Sequence, residues 1–155
     1  MTAAPQSASG AAPGFAFALR VYYEDTDAAG VVYYANYLRY LERARTEWLE
    51  ALGHPLAELE SVHGVVFVVR RIEVDFRMPA RLADRLEATV ALRALGAASL
   101  DLDQTVRKGD QLLLQARVMP ACLDRQRMKP TRLPACLETL RGTLPATATA
   151  SPTLA

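Results

Sequence analysis

Between Tyr22 and Tyr37 the chain reads Tyr-Tyr-Glu-Asp-Thr-Asp-Ala-Ala-Gly-Val-Val-Tyr-Tyr-Ala-Asn-Tyr, and the residues able to do chemistry crowd its first half. Glu24, Asp25 and Asp27 place three carboxylates within four residues, where they repel one another. The apolar run from Ala28 to Val32 follows at once, an odd choice for a loop that needs only solubility, and it implies packing. A carboxylate just ahead of a helix has two readings. It can be an N-cap or first-turn charge, worth about 0.3–1 kcal/mol against the helix dipole. Held beside helix-terminal N–H groups, it can instead supply both halves of acyl-transfer chemistry: a nucleophile or general base, and donors for a developing oxyanion, with the apolar run excluding water. Spacing alone leaves both open.

A second local feature is basic. Arg107, Lys108, Arg117, Arg125, Arg127, Lys129 and Arg132 stand against only Asp110 and Asp124 in one stretch. They form either a solvated face or a phosphate site, for which the planar fork of arginine is suited. The whole chain has eighteen basic and seventeen acidic residues and a net charge of +1, so no global field argues for nucleic acid or an anionic membrane. Cys122 and Cys136 have neither C-x-x-C spacing nor a histidine pair beside them. His54 and His63 flank one loop without completing a triad or a ligand set. Free thiols, surface or structural histidines, and the absence of metal and redox cofactor are the expectations.

The elements that must position these residues follow from periodicity. Phe15, Phe17, Leu19, Val21 and Tyr23 alternate as in a strand with one buried face. From Tyr37 the apolar positions Tyr37, Leu41, Ala44, Trp48 and Leu52 fall on one helical stripe, with Arg39, Glu42, Arg43, Glu47 and Glu50 opposite and Gly53 and Pro55 as the stop. Four strand patterns come next. The first runs from Val65 through Ile72, Val74 and Phe76 towards Pro79. The others carry Leu86 to Leu92, Leu100 to Val106 and Leu112 to Val118 on one face, the last two joined by a turn at Lys108-Gly109-Asp110. One long helix and a mostly sequential antiparallel sheet predict an α+β layer fold. That order of elements is shared by hotdog and cystatin-like architectures, and pattern alone does not separate them.

The order and content of several stretches resemble the hotdog thioesterases, the family that includes 4-hydroxybenzoyl-CoA thioesterase and the Tol-Pal-associated acyl-CoA thioesterases. The matching stretches are Val21 to Asp27, Gly30 to Tyr33, Glu42 to Glu47, Phe67 to Arg70, Pro79 to Leu82 and Met128 to Pro130, within about residues 17–134. The resemblance implies a five-stranded antiparallel sheet wrapped around one central helix, and hydrolysis of an acyl-CoA to free acid and CoA. It implies Asp27 as the catalytic carboxylate, Asp25 as its helper or a structural cap, and the backbone N–H of Tyr34 as the donor to the thioester carbonyl. Gly30, Val31, Val32 and Tyr33 are then substrate-binding. Tyr34 departs from the histidine usual in the Tol-Pal-associated branch and matches the tyrosine of the 4-hydroxybenzoyl-CoA enzyme, so acyl preference does not carry over.

In that frame Arg125, Arg127, Lys129 and Arg132 are the candidates for the phosphates of coenzyme A, which belongs to the substrate rather than being a cofactor. The resemblance further implies a homo-oligomer, a dimer or a homotetramer, with sites shared between subunits. An acyl carrier protein is a candidate partner. The rival reading is a non-catalytic hotdog protein binding acyl-CoA or acyl carrier protein as a partner in lipid or envelope assembly.

Composition sets the remaining bounds. About half the residues are apolar (51%), enough for one core in 155 residues, and no run reaches the roughly eighteen apolar residues of a membrane span. Residues 1–14 and 143–155, rich in Ala, Ser, Thr, Pro and Gly, read as disordered tails around a single domain at 15–142, and a cytoplasmic location is expected.

Overall fold

A computed structural model describes residues 14–146. The strands are β1 (Phe15–Arg20), β2 (Val65–Phe76), β3 (Arg85–Leu95), β4 (Leu100–Lys108) and β5 (Gln111–Asp124). The helices are α1 (Asn36–Ala51) and α2 (Leu56–Ser61), with 3₁₀ turns at Tyr23–Asp25 and Ala135–Thr143. All four strand pairings are antiparallel, in the order β1-β3-β4-β5-β2. The sheet closes over α1, which packs against β1, β3 and β4. This is the α+β hotdog arrangement, and it decides between the two architectures that element order left open.

Patterning explains the layers. Tyr37, Tyr40, Leu41, Ala44, Trp48 and Leu49 form the buried stripe of α1, and they meet Leu86, Ala88, Val90, Leu92, Leu100, Leu102, Val106, Leu114, Ala116 and Val118. Each large apolar side chain so buried contributes about 1.5–3 kcal/mol. Leu52, expected on the stripe, lies past the helix end and is partly exposed. The β4–β5 hairpin turns at Gly109, whose φ of +56° favours glycine.

Strand β2 changes phase. Val65 and Phe67 face inward at odd positions, Ile72 and Val74 at even ones. An alternation of period two cannot change parity without an extra residue, and the register against β5 slips between Val69 and Arg71. Val68 and Val69 are thereby left partly exposed on a strand whose outer edge pairs with nothing among the described residues.

Three elements differ from expectation. β1 stops at Arg20, short of Tyr23, because the chain turns there into the 3₁₀ turn. The loop after α1 contains α2, which buries Leu59. The chain past Pro134, where no element was expected, forms the 3₁₀ turn Ala135–Thr143, which buries Leu137 and Leu140, and Leu144 packs against the core. The remaining parts of both expected tails, 1–13 and 147–155, lie outside the described residues.

Candidate active site

Asp25 organises the loop between β1 and α1. Its carboxylate accepts the N–H of Tyr22 (2.8 Å), and its carbonyl accepts the N–H of Tyr33 (2.9 Å) and Nδ2 of Asn36 (2.9 Å). This one buried residue ties the end of the first strand to the start of α1. Next to it the Tyr40 hydroxyl is buried without a hydrogen-bond partner of ordinary geometry, and burial, with the Asp25 carboxylate, drives its pKa far up. Past Asp25 the chain forms a narrow tip. Thr26 pairs with Val32, the Asp27 N–H donates to the Val31 carbonyl (2.9 Å), and Gly30 takes φ +79° to turn the corner.

Asp27, Ala28, Ala29 and Gly30 are exposed at this tip, Val31 is half-buried and Val32 joins the core. The Asp27 carboxylate accepts the Ala29 N–H (2.8 Å), an Asx turn that sets its direction. Asp25 and Asp27 therefore play unlike parts: the first is a buried tie, the second an oriented, accessible carboxylate.

No carboxylate caps α1. Its N-cap is Ala35, no side chain caps it, and its first turn holds no acid. The acid that does cap is Asp25, and it caps the preceding 3₁₀ turn. Because α1 begins at Asn36, Tyr34 lies two residues ahead of the helix rather than at its first position. The N–H groups of Tyr34 and Ala35 donate to no acceptor among the described residues. Unengaged N–H groups at the positive end of a helix are what an oxyanion needs.

Alongside runs a groove of about 270 Å³ lined by Val32, Tyr34, Tyr37, Phe76, Arg77, Met78 and Pro79. Tyr34 and Tyr37 meet Phe76 edge-on, with ring centroids 6.3 and 5.9 Å apart, and Tyr33 lies 4.9 Å from Tyr34. The Tyr37 hydroxyl accepts the Ala80 N–H (2.9 Å), and the Ala80 carbonyl accepts the Val32 N–H (2.9 Å), so one strut holds the groove floor to the tip. Burial raises the pKa of Tyr37, so its phenol stays protonated at neutral pH. Tyr37 and Trp48 are core, as the helical stripe implied, Tyr40 is buried with them, and Tyr33 is exposed beside the groove. Phe76 and Met78 were legible only as the end of a strand, and Pro79 also as the start of a matching stretch; the available signal is large apolar residues where a strand should turn polar.

The basic stretch does not form one patch. Lys108 pairs with Asp84 (2.9 Å) beside the tip, and Arg117 is held bidentately by Asp101 (2.9 and 2.6 Å) on the sheet. Arg125, Arg127, Lys129 and Arg132 are exposed at the far end of β5, around a turn that the Asp124 carboxylate closes by accepting the N–H groups of Gln126 and Arg127. Arg125 pairs with Glu60 (3.1 Å), while Arg127, Lys129 and Arg132 make no ion pair among the described residues. Val31 pairs with Arg81 and Lys108 reaches Asp84, so the Asp27 tip sits at the opposite end, with the length of β5, about 40 Å of strand, between. Within one chain, Asp27 and the four basic candidates are not brought together.

Comparison with known proteins places the chain. A family model for the thioesterase-like superfamily matches residues 21–140. The acyl-CoA thioesterase YbgC of Haemophilus influenzae is 40% identical over 121 residues, 78% of this chain and 89% of that one. The acyl-CoA thioester hydrolase YbgC of Escherichia coli is 42% identical over 121 residues, 77% and 90% respectively. The crystal structure of a probable thioesterase from Bartonella henselae superposes with a TM-score of 0.76 at 37% identity, covering 79% of this chain and all (100%) of the other. With the family model spanning most of its length and relatives at this identity, the chain belongs to the thioesterase-like superfamily.

Proposed function

We propose that this chain hydrolyses an acyl-CoA thioester, adding water across the C–S bond to release a carboxylic acid and CoA. The observation that carries this is the arrangement at the two ends of one short loop: an accessible carboxylate, Asp27, fixed by its Asx turn, and the unengaged N–H of Tyr34 ahead of an uncapped helix. Asp27 attacks the thioester carbon or activates water, and the Tyr34 N–H stabilises the oxygen on which negative charge develops. One such donor is worth about 3 kcal/mol. Gly30, Val31, Val32 and Tyr33 form the approach, the aromatic groove takes the acyl group, and Asp25 holds the loop.

The separation of Asp27 from Arg125, Arg127, Lys129 and Arg132 supports a shared site. Two-fold antiparallel pairing of the open β2 edge with a second copy sets the Phe76 end of one strand against the Val65 end of the other. That brings the partner copy's basic turn to this copy's tip, where it can hold the phosphates of CoA. The same pairing covers Val68 and Val69 and removes an exposed edge.

The test is release of CoA from a panel of short, long and aromatic acyl-CoAs. Asn at 27 keeps an oxygen for the Ala29 N–H, so Asp27→Asn folds, and its turnover is expected to fall about a thousandfold. Turnover in Asp27→Asn equal to that of the unaltered chain overturns Asp27 as the catalytic carboxylate, and no CoA release by the unaltered chain from any member of the panel leaves only a binding protein.

A further inference from the structure

Both histidines reach the 3₁₀ turn Ala135–Thr143, His54 at Thr139 and His63 at Cys136. The His63 Nε2 lies 3.6 Å from the Cys136 Sγ, across 73 positions of sequence. The 3₁₀ turn that carries Cys136 is pinned there by its own side chains: Thr139 Oγ1 donates to the Cys136 carbonyl (3.0 Å) and meets His54 Nε2 (2.9 Å). His63 is exposed and Cys136 partly so, so a small reagent can reach the pair. A basic turn lies beside it. The residue after His63, Gly64, accepts the backbone N–H of Arg125 (2.9 Å), whose guanidinium is held by Glu60 (3.1 Å), and Glu138, two residues after Cys136, is held by Arg141. Arg127, Lys129 and Arg132 carry charge at this end that no carboxylate among the described residues pairs with.

The second cysteine is an internal control. Cys122 is fully buried, its Sγ faces the Arg132 carbonyl (3.8 Å), and burial pushes its thiol up to about 11. A thiol without an imidazole or access is inert.

We propose that Cys136, with His63 as its proton acceptor, is a thiol–disulfide exchange site for small anionic disulfides. The His63 Nε2 takes the thiol proton, and the Cys136 sulfur attacks one sulfur of R–S–S–R. The Cys136–S–S–R bond forms as the R–S–S–R bond breaks, and the leaving thiolate recovers the proton from the imidazolium. The cysteine is oxidised to the disulfide level, the departing sulfur is reduced to a thiol, and the disulfide itself is the only oxidant. The unpaired arginines and lysine concentrate the anionic reagent. None of this depends on the thioesterase reading.

The experiment uses the full native chain with two probes, dianionic dithiobis(nitrobenzoate) and uncharged dithiodipyridine, following thiol release and mapping the adduct by peptide mass spectrometry. One equivalent is expected to react quickly, at Cys136, and Cys136→Ser is expected to lose that phase. His63→Gln, with its melting midpoint checked against the unaltered chain, is expected to slow it about fivefold; His63→Asn serves if the first variant is unstable. Added salt is expected to slow the dianionic probe and leave the uncharged one unchanged. A fast adduct on Cys122, reaction only after unfolding, an unchanged rate in the folded His63 variant, or a salt response shared by both probes overturns the proposal.

Discussion

Removing one oxygen at Tyr37 tests whether the groove is held by the strut described above. The ring of Tyr37 is buried, and its hydroxyl accepts the N–H of Ala80 in a buried bond of 2.9 Å. Tyr37→Phe keeps the ring, its edge-on packing against Tyr40 and Phe76, and the helix, so the lost term is the hydrogen bond. A buried N–H left without an acceptor costs about 1–3 kcal/mol. For a domain of this size each kcal/mol moves the melting midpoint by about 4 °C, so a fall of about 8 °C is expected. Ala80 also accepts the Val32 N–H, so the slackened segment is the one behind the tip. The kcat/KM for the best acyl-CoA is therefore expected to fall along with stability. Calorimetry and steady-state kinetics on Tyr37→Phe read both quantities, with Tyr23→Phe, which alters an exposed ring outside the groove lining, as the control. A midpoint within about 2 °C of the unaltered chain refutes the strut, because it means that Ala80 loses nothing when the hydroxyl goes.

Three further outcomes follow from the same geometry. Gln104→Leu is expected to cost about 3 kcal/mol in denaturant unfolding, because the fully buried amide accepts from Arg45 (2.9 Å) and donates to the Leu41 and Thr89 carbonyls, and its loss strands a guanidinium whose pKa burial already lowers. Acid is expected to weaken the fold through two carboxylates held below the usual range. The Arg117 fork depresses Asp101, and at Asp84 the Arg81 N–H and Lys108 outweigh a burial that would raise it. A carboxylate depressed on folding gives stability that is present above its unfolded pKa of about 4 and is lost as pH falls through the folded value, so the melting midpoint should drop below about pH 4, less steeply in Asp101→Asn. Gly30→Ala is expected to cost about 1 kcal/mol: φ is +79° and nothing lies within 4 Å of the added carbon, so backbone strain without a clash is what calorimetry should register.

How far the sequence disclosed this molecule depended on how many residues shared each message. The stripe of α1 and the alternating faces of β3, β4 and β5 repeat one instruction many times, and α1 fell within one residue of expectation. The ends of elements are decided by single bonds. β1 stops early and a 3₁₀ turn forms because one carboxylate, Asp25, finds the Tyr22 N–H, and no periodicity announces that. The turn at Ala135–Thr143 is short, and its burial of Leu137 and Leu140 depends on a core built by distant strands. At the site, resemblance singled out Asp27 and Tyr34 at the two ends of one loop. The groove wall of Phe76, Met78 and Pro79 comes from a strand remote in sequence, and the separation of the basic turn from Asp27 is a fact of topology that linear spacing hides. The meeting of His63 with Cys136 was hidden in the same way.

Gln104 grips α1 at two points one turn apart, the carbonyl of Leu41 and the side chain of Arg45. A helix pinned like this behaves as a shaft with a key: it can neither slide along its axis nor roll without breaking both grips. Adding a residue between Asn36 and Leu41 would therefore swing the helix start by about 100° while the far half stayed put, carrying Tyr34 off its aim. Changes of length that spare the chemistry must be absorbed upstream, in the tip itself.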